Sequence, residues 1–457
     1  MKRGLLALVP AVLACGGPPP QTVQLREAVA MAGASPASGV AFRLPARRGA
    51  ARLYDLPALT EITASLDPGP GTDRLVGFAP DDDLVYTLAG DSLLALDLRL
   101  GRFRILDSSV VAATVDATGT VVLARADGGL AVASDRRVSP AGALPARSRI
   151  EMLWGTPGNR TAAVVRGDSG RRLVALAGGS VVSQRPLPDG PVARSLWGDA
   201  VAIGSPEGIE LLELLRDTPP VRIRLRPGVL ALAFSASGHR VYVATDEPAI
   251  QVFDRFEGVM LQKVSVPGPL TALRTDDFGR YVFGVSGSTL VILDILTGTA
   301  SAWAGVWGED LPAAAPDGTV LLRRGADVLA ITPADSTPRG RTAGGAQDRW
   351  LVATWSARGQ AVAVVEADAP VGAAPAPGHE IFVQVSSTSN AQWAEGLAAD
   401  LRLAGMRASV LPPTTADEMY RVVLGPYPTR EQAETTGRKL GMPYWIFQRD
   451  TVLRGSR

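Results

Sequence analysis

Residues 230–264 contain four short runs of strand-forming residues separated by tight turns. The runs are Leu230-Ala231-Leu232-Ala233-Phe234, Arg240-Val241-Tyr242-Val243-Ala244, Ile250-Gln251-Val252-Phe253-Asp254 and Leu261-Gln262-Lys263-Val264. Val, Ile, Tyr and Phe favour strands. Ser235-Ala236-Ser237-Gly238 joins the first run to the second, and Ser and Gly favour tight turns. The segment therefore predicts four consecutive antiparallel strands.

The same unit recurs along the middle of the chain. The turns that follow its first strand are marked by Gly39, Asp82, Gly119, Gly158, Gly198, Gly238, Gly279, Gly318 and Gly359. Eight intervals separate residue 39 from residue 359, so the mean period is 40 residues. A β-propeller has four strands per blade and a repeat of about 40–45 residues. The period predicts a mostly β chain that folds as a propeller over residues 37–366.

The two ends of this region predict how the ring closes. Residues 40–66 supply outer strands without an inner strand before them, and residues 349–366 supply an inner strand at Trp350–Thr354 and one further strand. Pairing the two fragments hides both open edges. Seven complete blades within residues 74–341 and one composite blade then give eight blades. Seven blades remain the alternative if one fragment lies outside the ring.

The propeller region resembles bacterial repeats of the YVTN or WD40-like class. The resemblance is carried by Gly238-His239-Arg240-Val241-Tyr242-Val243-Ala244 and by Val252-Phe253-Asp254, and it covers the general class only. His239 lies in a turn of the repeat, and we interpret it as a solvated loop residue. Asp81-Asp82-Asp83 is interpreted as another such turn, not as a cation site.

The pattern changes after an Ala- and Pro-rich linker at residues 367–377. Residues 378–449 alternate strand and helix in the order βαββαβ, followed by a tail at 450–457. Ser389 and Gln392 form a capping box for the first helix, and Trp393, Leu397 and Leu401 form its apolar stripe. Such an order predicts a small α+β domain whose four-stranded sheet has both helices on one face and the other face free.

This segment resembles the SPOR (sporulation-related repeat) domain. The matching residues are Phe382-Val383-Gln384-Val385-Ser386-Ser387 and Tyr420-Arg421-Val422-Val423-Leu424-Gly425-Pro426-Tyr427, together with the helix at Ala391–Gly405. Ser386 and Thr388 depart from the family, which usually has Gly and an aromatic residue there. The resemblance implies binding to peptidoglycan, with a preference for glycan strands from which amidases have removed the stem peptides, as at division septa.

The resemblance also implies which residues bind the glycan. The family's binding face corresponds to Gln384 and Ser387 on the first strand and to Arg421 on the third. Tyr420, Tyr444 and Trp445 are further candidates, for which packing in the core is the equal alternative. Amide, hydroxyl and guanidinium groups suit sugar hydroxyls, acetamido carbonyls and a lactyl carboxylate.

The N-terminus predicts an export signal. Met1-Lys2-Arg3 is followed by an apolar stretch at residues 4–14, which is shorter than the roughly 20 residues that span a bilayer. Val12-Leu13-Ala14-Cys15 resembles the lipobox of bacterial lipoproteins, which implies a signal peptide at 1–14, lipid attachment at Cys15 and a spacer at 15–36. With Gly16 after the Cys, the resemblance favours the outer membrane, facing the periplasm. A simple signal peptide is the alternative.

Composition limits the remaining classes of function. One Cys and two His among 457 residues argue against disulfides and multi-His metal centres. A net charge of +1 provides no basic surplus for nucleic acid. We therefore expect no catalytic residue, metal or cofactor in a non-enzymatic envelope lipoprotein whose propeller presents a surface to an unknown protein partner. The alternatives are a propeller enzyme of hydrolase or lyase type, localised by the SPOR domain, and a propeller that assists outer-membrane assembly.

Overall fold

The structure, a computed structural model, describes residues 40–353 and 379–450 with internal gaps. The gaps are residues 63–65, 80–83, 99, 116–119, 135–136, 146–147, 157–159, 197, 215–218, 237, 277–278, 296, 316, 336, 344–345, 389–390, 392–393, 396–397, 399–400, 403–405, 414–419, 428–432, 434–435 and 437–443. Several predictions therefore fall outside the described residues: the signal peptide, Cys15, the spacer, the Asp81–Asp83 turn, the linker, the capping box of Ser389 and Gln392, Trp393, Leu397 and the tail after Asp450.

The propeller region contains 34 strands, β1 to β34, among the described residues. The first five are β1 (Val40–Leu44), β2 (Gly49–Ala50), β3 (Arg52–Asp55), β4 (Glu61–Ile62) and β5 (Pro68–Gly69). Blade 1 comprises β6 (Arg74–Ala79), β7 (Leu84–Ala89), β8 (Ser92–Asp97) and β9 (Arg102–Asp107). Blade 2 comprises β10 (Val110–Val115), β11 (Val121–Arg125), β12 (Gly129–Ser134) and β13 (Arg137–Ala143). Blade 3 comprises β14 (Arg149–Thr156), β15 (Arg160–Gly167), β16 (Gly170–Ala177) and β17 (Ser180–Pro186).

The next five blades complete the ring. Blade 4 comprises β18 (Val192–Arg194), β19 (Ala200–Ser205), β20 (Gly208–Glu213) and β21 (Val221–Arg224). Blade 5 comprises β22 (Ala231–Phe234), β23 (Arg240–Ala244), β24 (Ala249–Asp254) and β25 (Met260–Ser265). Blade 6 comprises β26 (Ala272–Thr275), β27 (Tyr281–Ser286), β28 (Thr289–Asp294) and β29 (Thr299–Ala304), and blade 7 comprises β30 (Ala313–Ala314), β31 (Val320–Arg324), β32 (Asp327–Ile331) and β33 (Gly340–Ala343). Blade 8 joins β34 (Arg349–Ala353) to β1, β3 and β4.

Blade 8 confirms the prediction of eight blades closed by the two ends of the region. In its sheet, β34 pairs antiparallel with β1, from Val40 opposite Ala353 to Leu44 opposite Arg349. The place beside the inner strand is therefore taken by β1, whereas the further strand predicted after Thr354 lies outside the described residues. Arg43 Nε donates to Asp348 Oδ2 at 2.6 Å, which ties the same two fragments.

A buried ion pair supports this closure from blade 7. Arg323 donates two hydrogen bonds to the Asp310 carboxylate, at 3.2 and 2.8 Å, and the two side chains are 6% and 1% exposed. Asp310 Oδ2 also accepts a hydrogen bond from the backbone N–H of Trp350 at 2.8 Å. The Asp310 carboxylate thus binds both the Arg323 guanidinium of blade 7 and the backbone of the inner strand of blade 8.

The blades pack against one another through their apolar faces. Tyr242 and Ile250 of blade 5 share one buried cluster with Val282 and Val291 of blade 6. Because a blade between two neighbours is covered on both faces, its middle strands are continuous apolar runs and do not alternate between apolar and polar residues. This explains why the repeat is visible as runs of Val, Leu and Ala.

Polar contacts link successive blades as well. Arg255 donates to Asp199 Oδ2 at 2.7 Å and to Glu213 Oε2 at 2.8 Å, both in blade 4 or its turns. Burial disfavours the charged forms of Arg255 and Asp199, but the attraction between their opposite charges outweighs this effect. The pKa of Arg255 is therefore raised, and that of Asp199 is lowered. Tyr281 Oη donates to the carbonyl oxygen of Gly318 at 3.0 Å, and burial raises the pKa of Tyr281 to about 12.

A separate four-stranded sheet follows the propeller. Its strands are β35 (His379–Thr388), β36 (Ala408–Leu411), β37 (Tyr420–Tyr427) and β38 (Trp445–Asp450), in the order β36-β37-β35-β38 with all neighbours antiparallel. Residues 391, 394–395, 398 and 401–402 are helical, as are 433 and 436. These positions confirm the predicted βαββαβ order.

Candidate functional site

The sheet of the C-terminal domain has two faces of different composition. Ile381 and Val383 of β35 belong to a buried cluster that also contains Ala394, Ala398 and Ala433 from the helical segments. Side chains alternate along a strand, so Phe382 and Gln384 point to the opposite face. We call this opposite face, which carries Phe382, Gln384, Arg421, Val423, Trp445 and Phe447, the outer face.

Strand register brings three predicted residues together on the outer face. Gln384 lies opposite Trp445 on one side and opposite Val423 on the other. Arg421 is two residues before Val423 on β37 and therefore shares its face. Ser387 takes the register position opposite Arg421. Residues that are distant in sequence thus meet across three adjacent strands.

Two aromatic residues of the outer face were not among the sequence predictions. The rings of Phe382 and Phe447 are stacked with centroids 5.7 Å apart, and the guanidinium carbon of Arg421 lies 5.9 Å from the Phe447 centroid. The period of two along each strand would have found them, because Phe382 precedes Gln384 by two residues and Phe447 follows Trp445 by two. An amide, a guanidinium and aromatic rings are the groups that bind sugars through hydrogen bonds and C–H contacts.

Tyr420 and Tyr444 lie on the helix-bearing side. Tyr444 is 3% exposed within the core cluster, and Tyr420 packs against that cluster. For these two residues the structure agrees with the core alternative, whereas Trp445 is on the outer face. Tyr444 and Trp445 are adjacent in sequence, and adjacent side chains of a strand point to opposite faces of the sheet.

Gly425 explains why the Arg-Val-Val-Leu-Gly-Pro run needs its glycine. Its φ is +123°, a value that other residues rarely adopt, and a Cβ there would lie 3.0 Å from the carbonyl oxygen of Ile381. The pairing of β35 with β37 shifts register at this point, between Ile381 and Val383. The glycine therefore lets β37 follow the strand that carries Gln384.

The outer face is not free, contrary to the sequence prediction. Trp445 packs edge-on against His239 of the propeller with ring centroids 5.1 Å apart, and the guanidinium carbon of Arg240 lies 5.4 Å from the Trp445 ring centroid. His239 is accordingly half-buried and contacts aromatic rings, so its interpretation as a solvated loop residue is wrong. A contact between domains so distant in sequence leaves no local signal.

Clusters of metal ligands and membrane-spanning helices are both absent from the described residues. Within them, no three His, Cys, Asp or Glu side chains are grouped so that they could hold a metal ion. None of the helical segments that the structure describes is long and apolar enough to cross a membrane.

Comparisons with known proteins address the two domains separately. Among solved structures, the dihydro-heme d1 dehydrogenase NirN in complex with DHE is similar with a TM-score of 0.51 and 16% identity, over 70% of this chain and 76% of that one. Apo AztD from Citrobacter koseri gives a TM-score of 0.48 and 12% identity, over 69% and 97%. At 16% identity the likeness to NirN concerns the fold alone, which is propeller-like.

A family model identifies the second domain. No curated protein matches the sequence. The model of the SPOR domain matches residues 379–441, which hold three of the four strands and both helical segments. SPOR domains bind peptidoglycan, and their presence implies an association with the cell wall or envelope. Residues 379–441 are therefore a SPOR domain, which this chain carries after an eight-bladed β-propeller.

Proposed function

We propose that this chain is a non-enzymatic envelope lipoprotein that binds the glycan strands of peptidoglycan through the outer face of its SPOR domain. The observation that carries the proposal is the meeting of Gln384, Arg421 and Trp445 on that face. Stem peptides obstruct a glycan strand, so we expect a preference for strands that amidases have stripped, which are concentrated at division septa. The near-zero net charge of the chain suits a sugar polymer better than a polyanion.

Co-sedimentation of the full chain with purified sacculi, intact and amidase-treated, tests this proposal. We expect more binding to the treated wall, and a loss of at least about tenfold in the Gln384→Glu/Arg421→Ala variant, because hydrogen bonds from a charged group contribute about 1.5–3 kcal/mol. Arg402→Ala is the matched control, since Arg402 is an exposed arginine of the same domain on its helical segment. Equal binding to both walls, or undiminished binding of the double variant, would refute the proposal.

The propeller is proposed as a platform for a protein partner. The support is a hairpin of blade 5 whose apolar side chains Phe256, Val259, Met260 and Leu261 are all about half exposed. Exposed apolar groups that are contiguous mark interaction surfaces more often than scattered ones do. Partners in cell division, wall organisation or outer-membrane assembly are all consistent with such a platform.

The absence of enzymatic activity is part of the proposal. The buried charged cluster of Arg255 with Asp199 and Glu213 joins blade 5 to blade 4, which is a structural role. The full chain incubated with sacculi is expected to release no soluble muropeptides under conditions in which an amidase or lytic enzyme does. Release of such fragments would favour the alternative, a propeller enzyme localised to the wall.

Lipid attachment at Cys15 is proposed from the sequence Val12-Leu13-Ala14-Cys15. Two or three acyl chains would hold the chain at the membrane, because each buried methylene contributes about 0.8 kcal/mol. In the bacterium, the Cys15→Ser variant is expected to lose incorporation of labelled palmitate and to leave the outer-membrane fraction. Unchanged labelling would contradict the assignment.

A further inference from the structure

The contact between the propeller and the SPOR domain involves a residue of the proposed glycan-binding face. His239 is the last residue of the turn between β22 and β23 of blade 5, and Arg240 begins β23. The His239 ring meets the Trp445 ring at 76°, and the Arg240 guanidinium lies over that ring at 5.4 Å from its centroid. A guanidinium over an indole ring takes the ring face on which the C–H groups of a sugar would stack. The propeller turn therefore covers part of the Trp445 ring surface on which a sugar would stack.

Two neighbours of Trp445 on the outer face are buried in the structure in which Trp445 contacts the propeller. Gln384, directly opposite Trp445, is 8% exposed, and Phe382 is 6% exposed. Both lie on the side away from the helical segments, where Phe382 stacks on Phe447 and Gln384 is flanked by Val423 and Trp445. An amide that binds sugar hydroxyls must be accessible to them. In the state in which Trp445 contacts blade 5, the Gln384 amide is thus largely inaccessible to a ligand.

The path of the chain places the two surfaces within reach of each other. β34 is the inner strand of blade 8, and its last residue, Ala353, is at the end from which the turns between first and second strands leave. His239 lies in the corresponding turn of blade 5. The chain therefore leaves the ring on the propeller face that carries His239. A tether on that face raises the local concentration of the SPOR domain there.

We propose that the His239-Arg240 turn competes with peptidoglycan for the outer face of the SPOR domain, so that the chain alternates between a closed state and a glycan-binding open state. The inference rests on the proposed glycan binding. Affinity for a ligand falls by the fraction of molecules in the competent state. The known contact is one aromatic pair and one cation–π pair, so its removal is expected to increase glycan affinity about fivefold.

The test measures binding of the full chain to amidase-treated sacculi. The His239→Ala/Arg240→Ala variant should bind about fivefold more tightly than the unmodified chain. Arg240→Gln is a milder second variant that removes the charge and keeps most of the volume, and it should shift affinity in the same direction. Arg160→Ala is the matched control, because Arg160 begins the second strand of blade 3 as Arg240 begins that of blade 5. It should leave binding unchanged.

A second measurement separates this inference from the proposed function. Hydroxyl-radical labelling read by mass spectrometry reports the accessibility of Trp445 without any glycan, and labelling should rise in the His239→Ala/Arg240→Ala variant. Equal glycan affinity of this variant and the unmodified chain would overturn the competition while leaving glycan binding intact. If neither binds the treated wall, the proposed function fails, and the competition fails with it even if labelling of Trp445 rises.

Discussion

The chain builds four-stranded antiparallel sheets in two ways. A propeller blade lies between two other blades, and both of its faces are covered by them, as Val282 and Val291 of blade 6 are by residues of blade 5. The SPOR sheet has helical segments on one side only, and its other side carries Gln384, Arg421, Trp445 and Phe447. Strand residues on the covered faces of a blade can therefore specify only packing, whereas those on the outer face of the SPOR sheet can also specify a ligand.

The difference explains where function can reside in each domain. A propeller must place its binding groups in turns, strand ends and outer strands, because the faces of its blades are occupied. The apolar hairpin of blade 5 and the His239-Arg240 turn are examples. A SPOR sheet can bind on the face itself, with spacing set by strand register. Substitutions in a blade should therefore affect stability, whereas substitutions in the SPOR sheet should affect stability or glycan binding according to the face on which they lie.

The largest loss of stability is expected from removing the Asp310 carboxylate, which joins blades 7 and 8. Asp310→Ala leaves the buried Arg323 guanidinium without its partner and the Trp350 N–H without its acceptor. Loss of one partner of a buried pair costs about 3–5 kcal/mol, so urea should unfold the propeller at a much lower concentration. Asp335→Ala breaks an exposed pair with Arg339 and should change the free energy of unfolding by less than about 1 kcal/mol. Similar stabilities of the two variants would show that closure does not depend on Asp310.

Neighbouring residues of β38 test the two faces of the SPOR sheet. Ile446→Ala removes a buried side chain of the core and should destabilise the domain by about 3 kcal/mol. Amide hydrogen exchange of the β35 and β38 peptides should then accelerate, while exchange in the propeller stays unchanged. Trp445 is one residue earlier and lies on the outer face. The Trp445→Ala variant should therefore weaken glycan binding and leave amide hydrogen exchange of the β35 peptide nearly unchanged. Equal acceleration in both variants would mean that the outer face is part of the core.

The smallest effect concerns a single hydrogen bond between blades. Tyr281→Phe removes the bond to the Gly318 carbonyl and should lower the free energy of unfolding by about 1 kcal/mol. Because burial raises the pKa of Tyr281 to about 12, the folded chain keeps this proton in a pH range where the unfolded chain, with an ordinary pKa of about 10, loses it.

Stability should therefore fall as pH rises from about 10 to 12, and this decrease should be smaller in the Tyr281→Phe variant. Below about pH 9 the two chains should differ by a constant amount, because Tyr281 is protonated in both states. Thermal unfolding at several pH values measures both quantities. Parallel stability profiles over the whole range would contradict the role given to burial of Tyr281.

Repetition made the propeller predictable from sequence. The predicted strands of blade 5 differ from the observed ones by one residue at most, because turns of Ser, Asp and Gly punctuate continuous apolar runs. The register of β1 against β34 depends on a contact across some 300 residues. No local pattern specifies which strand lies beside Trp350. Closure was therefore predicted only in outline, from the need to cover two open edges.

The fold of the SPOR domain was predictable through its motif, and the composition of its outer face was predictable only in part. The strand order and the places of Gln384 and Arg421 follow from the motif, whereas for Trp445 the sequence left core packing as an equal alternative. The period of two along each strand would have added Phe382 and Phe447. Tyr420 and Tyr444 differ from Trp445 only in parity along their strands, which a shifted register can reverse. The contact of Trp445 with His239 and Arg240 depends on residues outside the domain, so the SPOR motif does not predict it.

The pairing of β1 with β34 has a mechanical consequence. The segments before Val40 and after Ala353 leave the ring from residues that are directly opposite each other in one antiparallel pair. A force that pulls those segments apart acts at one end of the pair and opens its hydrogen bonds one after another, starting between Val40 and Ala353. Strands loaded in this direction separate at lower force than strands loaded lengthwise. Under tension between its two ends, the ring is expected to open first at the seam that closes it.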